Sequence, residues 1–201
     1  ISDDGENFLS DAAEAIVYAT NNGAQILSNS WRIYNSWATD GNQQALQMLA
    51  GAIQYAGQRG VLFVAAAGNE HKNLDQSNAQ DPIFPLSFQN LPTMIGVASG
   101  DSDNFQDVIS SFSNHGRNFV QLAAPGSVIF STVPNGKWED MSGTSMATPL
   151  VAGALARIAS KGHSPFVAYQ ILAATVDQSV QSTWEKYVAY GYINIYEAMK
   201  Y

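Results

Sequence analysis

Seven consecutive apolar residues, 61–67, constrain the fold of this chain more than any other feature. A continuous run of this length is typical of a β-strand that is covered on both faces, as in a parallel sheet. Apolar residues recur three and four positions apart between residues 9 and 17 and again between residues 45 and 56, which predicts two amphipathic helices. A short apolar segment around Ile26 and Leu27 lies between them. The order helix, strand, helix, strand predicts an α/β protein.

The second half of the chain continues with the same kinds of element. Residues 94–99 and 119–123 are predicted to be strands, and Pro134-Asn135-Gly136 marks the turn of a hairpin that begins with residues 129–133. Helical periodicity covers residues 145–160, and Ser164-Pro165 starts another helix. Residues 70–92 are polar and contain prolines, so we expect a loop there.

Composition restricts the class of partner. The 201 residues are enough for one domain with a sizeable core. The net charge of -8 disfavours nucleic acid and anionic membranes as partners, because an acidic surface repels both. The chain has no cysteine, which excludes disulfides and thiolate chemistry. No apolar run approaches the roughly 20 residues of a membrane-spanning helix.

Ser145 is the strongest candidate for a reactive group. It lies among small residues where a hairpin gives way to a helix. A serine nucleophile needs a nearby base, and its attack needs donors directed at the developing oxyanion. The N-terminus of a helix supplies free N–H groups and partial positive charge. Gly143 allows a substrate to approach closely, and Pro149 is expected in the first helical turn, where its missing N–H costs little.

Asn69 is the second candidate. It follows the buried strand 61–67 directly after Gly68, which suits a sharp turn. Functional groups of α/β proteins collect beyond the carboxyl ends of the strands. An amide group held there by a rigid core is a suitable donor to an oxyanion.

The segment Gly-Thr-Ser-Met-Ala-Thr-Pro at 143–149 resembles the serine motif of the subtilisin family of serine peptidases. Five other segments resemble family motifs and occur in the family's order: 26–31, 65–70, 112–113, 123–126 and 190–194. The resemblance implies a three-layer α/β fold with a mostly parallel central sheet flanked by helices. It also implies that Ser145 is the nucleophile and Asn69 the oxyanion donor, and that the substrate cleft is lined by Ser30, Trp31, Arg32, Ala66, Ala67, Gly68 and Thr144.

The family's Asp and His motifs have no counterpart in these 201 residues. We therefore interpret residues 1–201 as the serine-bearing part of one peptidase domain, whose first strands, with the Asp and His, are expected from a companion N-terminal segment. The three histidines are not assigned as the base. His71 and His115 are predicted in polar surface loops, and His163 at the start of a helix.

Two functions remain open at this point. The chain is either the larger part of an active endopeptidase or a pseudopeptidase that binds or scaffolds without turnover. Arg32 bears on both, since it stands where the family usually has glycine. Its side chain is expected to narrow the cleft, to bind an acidic substrate side chain, or to point into solvent.

The resemblance also carries expectations about ions, partners and location. No cofactor is required for catalysis, although calcium is common in the family as a structural ion. The acidic residues between 101 and 107 match no compact calcium loop, and we expect a solvated loop there. The implied partners are a protein or peptide substrate and the companion segment, and the implied location is secreted or extracytoplasmic.

Overall fold

The computed structural model describes residues 8–34, 43–77, 80–88, 91–103 and 106–201. Four long helices dominate this part of the chain: α1 (Phe8–Asn21), α2 (Gln43–Gln58), α4 (Thr144–Ala159) and α5 (Pro165–Ala174). A short helix, α3 (Leu74–Ser77), lies between α2 and α4 in the chain. Two further short helices are α6 (Gln181–Trp184) and α7 (Ile195–Ala198). The predicted helices at 9–17, 45–56 and 145–160 and the helix starting at Ser164-Pro165 are therefore present.

Among the described residues, six strands form the central sheet. Five strands follow the order β1 (Ile26–Asn29), β3 (Leu62–Ala66), β5 (Met94–Asp103), β7 (Leu122–Pro125) and β10 (Gly191–Tyr192), and all neighbours in this order are parallel. The sixth strand, β6 (Gln106–Ile109), pairs antiparallel with the end of β5. Two antiparallel pairs lie outside this sheet: β2 (Ile33–Tyr34) with β4 (Ile83–Phe84), and β8 (Ile129–Val133) with β9 (Lys137–Met141).

Both faces of the sheet are covered. Every residue of β3 is buried, and its side chains alternate between two apolar clusters. Phe63 and Ala65 pack with residues of α1 and α2, whereas Leu62 and Val64 pack with residues of α4 and α5. The continuous apolar run 61–67 thus predicts this layer correctly, and the three-layer α/β architecture is confirmed.

Three details differ from the sequence predictions. The expected loop at 70–92 contains α3 and β4. The strand predicted at 119–123 begins three residues later, at Leu122, because residues 116–120 form a turn. The predicted solvated loop near Asp101 is wrong for that residue, since its carboxylate accepts hydrogen bonds from the hydroxyls of Ser110 and Ser127.

Candidate active site

Ser145 is the second residue of α4. Hydrogen bonds with residues outside the helix hold the start of α4 in place. The backbone N–H of Thr144 donates to Oδ1 of Asn69 at 3.0 Å, and the Thr144 hydroxyl donates to the same oxygen at 2.9 Å. The Thr144 hydroxyl in turn accepts from the N–H of Gly68 at 3.1 Å. Because Thr144 is fully buried, these bonds lock the turn after β3 to the first residue of the helix.

The same bonds orient the Asn69 amide. Because the side-chain oxygen of Asn69 accepts both bonds from Thr144, the Nδ2 of Asn69 faces away from Thr144. No described residue accepts a hydrogen bond from this Nδ2. The N–H of Ser145 also has no acceptor among the described residues. A Cβ atom built on Gly143 would lie 3.4 Å from Nδ2 of Asn69 and 3.7 Å from the Ser145 nitrogen. Two donors therefore flank one small open space beside Gly143, and this arrangement can bind an oxyanion.

Ser145 and Ser30 form a reciprocal pair across the cleft. The Ser145 hydroxyl donates to the backbone carbonyl of Ser30 at 3.3 Å, and the Ser30 hydroxyl donates to the carbonyl of Ser145 at 2.8 Å. In a regular helix the Ser145 carbonyl would accept from the N–H of residue 149, but Pro149 has none. Pro149 is thus in the second turn, not in the first as the sequence led us to expect, and the Ser30 hydroxyl occupies the acceptor that it leaves.

The other predicted cleft residues surround this pair. Ala66 and Ala67 are buried at the end of β3, and Gly68 has a φ of 98°, a conformation that favours glycine. Trp31 is half-buried, packs edge-to-face on Phe63 at 6.2 Å and donates to the Asn29 side chain. The structure therefore gathers all nine predicted residues around the ends of β1 and β3 and the start of α4.

Asn114 supports the site, and the sequence analysis gave it no role. It is fully buried, and its Nδ2 donates to the carbonyl of Ala67 at 2.9 Å and to the carboxylate of Glu70 at 2.6 Å. Its Oδ1 accepts from the N–H groups of Glu70 and Lys72 at 3.0 and 2.8 Å. All four hydrogen-bonding positions of the amide are used. One asparagine in a short polar segment gives no sequence signal of such a role.

Arg32 does not point into solvent. Its Nη2 lies 2.5 Å from Oε1 of Glu70, and the two side chains are only 26% and 19% exposed. Glu70 follows Asn69 directly, so the ion pair lies beside the space described above. Of the three alternatives left open for Arg32, the one in which its side chain points into solvent is therefore excluded.

None of the three histidines is hydrogen-bonded to Ser145. Nδ1 of His71 lies 2.6 Å from the carbonyl oxygen of Ser111, and Nε2 of His163 lies 3.4 Å from that of Tyr201. His115 packs edge-on against Tyr187 at 5.2 Å and is half-buried, so its prediction as a surface residue is wrong. Burial lowers the pKa of His115 below its ordinary value of 6.5.

The described part of the chain contains neither a cluster of metal-binding side chains nor a helix that could cross a membrane. Among residues 8–34, 43–77, 80–88, 91–103 and 106–201, no three His, Asp or Glu side chains come together as a metal site would require. In the same ranges, none of the helices combines the length and apolar character needed to cross a bilayer. The expectation of a structural calcium ion stays a prediction.

Comparison with known proteins gives a consistent result. Residues 1–191 match the sequence profile of the Subtilase family. The chain is 36% identical over 98% of its length to the thermophilic serine proteinase of Bacillus sp. (strain AK1), and 34% identical over its full length to thermitase of Thermoactinomyces vulgaris. It spans 43% and 63% of these two relatives. The crystal structure of an epidermin leader peptide processing serine protease from Staphylococcus aureus superimposes with a TM-score of 0.79 and 27% identity, over 96% of this chain and 54% of that one.

Proposed function

The chain belongs to the subtilase family, and from this premise we propose that it is the serine-bearing part of an endopeptidase that hydrolyses peptide bonds through an acyl-enzyme. One observation carries the proposal: the Asn69 amide and the Ser145 N–H flank the same space beside Gly143, at the start of the helix that carries Ser145. Family membership alone does not require this geometry to be intact, and a pure binding domain has no use for it.

The reaction follows from the positions of these groups. The Ser145 oxygen attacks the carbonyl carbon of the substrate while a histidine base takes the hydroxyl proton. The carbonyl oxygen becomes an oxyanion and accepts hydrogen bonds from Nδ2 of Asn69 and from the N–H of Ser145. The intermediate then collapses to an ester on Ser145, and the amine leaves with the proton that the histidine held. Water then attacks the ester while the histidine takes its proton. The histidine returns this proton to the Ser145 oxygen, and the carboxylic acid product leaves.

We propose that the histidine and its aspartate partner come from a companion N-terminal segment. The support is chemical: the hydroxyl of Ser145 donates only to the Ser30 carbonyl among the described residues, and no histidine of this chain contacts it. A serine without a base is a poor nucleophile.

The edge of the sheet at β1 also supports this proposal. Among the described residues β1 pairs only with β3, so the backbone groups along its other edge have no strand partner. Ile26 and Leu27 of this edge are half-buried, whereas every residue of β3 is buried. A groove of about 400 Å³ runs between α1 and β1 and is lined by Ala12, Ile16, Leu27 and Trp31 among others. A further parallel strand would satisfy the edge and cover this apolar surface.

The substrate and location are also proposals. Proteins or peptides are the proposed substrates, because the relatives carry the names of proteinases and of a peptide-processing protease. A secreted or extracytoplasmic location is proposed from the same resemblance, and residues 1–201 are proposed to form part of one domain.

The test compares the protein expressed from its complete gene with residues 1–201 expressed alone, using hydrolysis of denatured casein. We expect turnover only in the first preparation. Ser145→Ala is expected to lower kcat by about 10⁶-fold, the loss known for subtilisin itself, whereas Ser131→Ala, on the exposed hairpin, is expected to leave it unchanged. A complete, folded protein without turnover would overturn the proposed function.

A further inference from the structure

Arg32 and Glu70 connect the two walls of the cleft. The strands β1 and β3 are parallel neighbours, with Asn29 opposite Ala65 in the register. The chain continues from them as two segments, 30–32 and 66–70, beyond the same edge of the sheet. The ion pair of 2.5 Å between Arg32 and Glu70 joins these segments. It therefore bridges the gap between the two walls of the cleft.

Glu70 is the fixed end of this bridge. Its Oε2 accepts from the buried Asn114 at 2.6 Å, its own N–H donates to the same side chain at 3.0 Å, and its Oε1 meets Arg32. Because the Asn114 amide is fully buried and uses all its hydrogen-bonding positions, the Glu70 carboxylate has little freedom to turn away. The bridge is thus built into the loop that also carries Asn69.

The bridge lies over Gly68 together with Asn114. A Cβ atom on this glycine would lie 2.5 Å from Nδ2 of Asn114, 2.7 Å from Oε2 of Glu70 and 3.5 Å from Cδ of Arg32. The Asn114 amide, the Glu70 carboxylate and the stem of Arg32 therefore occupy the space that a side chain at position 68 would need.

The bridge lies next to the reacting groups on both walls. Ser30, two residues before Arg32, exchanges hydrogen bonds with Ser145. Asn69, directly before Glu70, carries one of the two donors at the oxyanion space. With the proposed roles of Ser145 and Asn69, the substrate side chain closest to the attacked carbonyl would enter between these walls and meet the ion pair.

We infer that the Arg32–Glu70 bridge is a specificity determinant that restricts this side chain to small, uncharged types such as alanine, glycine or serine; this inference rests on the proposed function. A large side chain would have to displace the bridge or bury it further, and burial of an ion pair is costly. An acidic side chain meets the Glu70 carboxylate and a basic one meets the Arg32 guanidinium, so neither charge is favoured while the pair is closed.

The test is a series of succinyl-Ala-Ala-Pro-X p-nitroanilides with alanine, phenylalanine, arginine or glutamate at X, hydrolysed by the protein from its complete gene. We expect kcat/KM for alanine to exceed each of the other three by at least about tenfold. Arg32→Gly should raise kcat/KM for phenylalanine and arginine by about tenfold, since it opens the space and removes the guanidinium that pairs with the Glu70 carboxylate. The double variant Arg32→Gly with Glu70→Gln should keep the gain for phenylalanine and lose the gain for arginine.

Control variants and outcomes separate the two proposals. Arg32→Lys keeps the ion pair and should keep the preference for alanine. If the wild-type enzyme prefers phenylalanine, arginine or glutamate at X, the inference is overturned. This result needs no variant, so it holds even if Arg32→Gly fails to fold. An unchanged profile in a folded Arg32→Gly variant also overturns it. A folded wild-type protein that hydrolyses neither casein nor any of the four peptides overturns the proposed function instead.

Discussion

The side-chain oxygen of Asn69 accepts two hydrogen bonds from Thr144, one from its backbone N–H at 3.0 Å and one from its hydroxyl at 2.9 Å. This relationship joins the end of β3 to the start of α4 and turns the amide nitrogen of Asn69 toward the space beside Gly143. The orientation of the proposed oxyanion donor therefore depends on a residue that does not itself contact the reacting atoms.

Replacement of Thr144 by valine tests this dependence. Valine keeps the shape of the side chain and removes the hydroxyl, so Asn69 retains one of its two anchoring bonds and the Gly68 N–H loses its acceptor. We expect kcat to fall by about tenfold, equivalent to about 1.4 kcal/mol of transition-state stabilisation, with KM little changed. Peptide hydrolysis under steady-state conditions gives both constants. Thr144→Ser, which keeps the hydroxyl, should behave like wild type, and an equal loss in both variants would contradict the account.

Replacement of Gly143 by alanine tests the oxyanion space. The added methyl group would lie 3.4 Å from Nδ2 of Asn69 and 3.7 Å from the Ser145 nitrogen, in the space proposed for the oxyanion. We expect kcat to fall by at least about 100-fold, the range for loss of one oxyanion donor, and the free energy of unfolding to fall as well, because Gly143 has a φ of 156°, which alanine rarely adopts. Initial rates on a peptide p-nitroanilide provide the measurement.

The matched control is Gly153→Ala, in the same helix with nothing within 4 Å of the added atom. It should leave kcat unchanged and raise the free energy of unfolding by about 0.5–1 kcal/mol, because alanine is the better helix former. Normal turnover in Gly143→Ala would show that the oxyanion does not occupy this space.

Replacement of Asn114 by alanine tests the support of the loop that carries Asn69. The change removes four hydrogen bonds and leaves the buried carbonyl of Ala67 and two backbone N–H groups without this partner. We expect the free energy of unfolding to fall by about 3 kcal/mol, measured by urea denaturation. Asn118→Ala, at an exposed position nearby, should change it by less than about 0.5 kcal/mol. Equal, small effects of the two changes would contradict a supporting role of Asn114.

His115 predicts a pH dependence of stability. Burial lowers its pKa, an effect that neighbouring His71 adds to and that Asp75 and the Ser113 backbone oppose. The unfolded chain therefore binds the proton more readily than the folded one, so stability is retained above about pH 6.5 and falls as the pH drops below it toward the folded pKa. His115→Phe keeps a ring against Tyr187 and removes the titration. Thermal unfolding between pH 8 and 5 should show a smaller loss in this variant than in wild type, and parallel curves would contradict the prediction.

The sequence predicted the parts of the fold and site that depend on local patterns. The apolar run 61–67 identified a strand with both faces buried, and the small residues around Ser145 identified the start of a helix. The position of Asn69 directly after that strand made it a candidate donor, and family resemblance added the residues of the cleft. These features need only the identity of neighbouring residues along the chain.

The rest depends on contacts between distant residues, which local patterns do not encode. Thr144 and Asn69 are separated by 75 residues, and Asn114 meets Glu70 across 44. The ion pair of Arg32 with Glu70 became visible only once the two walls of the cleft were placed side by side, and it excludes one of the three interpretations of the arginine, a side chain that points into solvent. The role of Ser30 follows from Pro149, whose missing N–H leaves the Ser145 carbonyl free, and that pairing needs the packed structure as well.

The central claim is that Ser145 is an activated nucleophile once the companion segment is present. Labelling with a fluorophosphonate probe, followed by measurement of the intact mass, tests it most directly on protein purified from its natural source. The account predicts one covalent adduct, located on Ser145, lost in a recombinant Ser145→Ala variant, and a companion segment that purifies with the labelled chain. A folded protein, free of inhibitor, that takes up no label would contradict the account and would favour a binding domain without turnover.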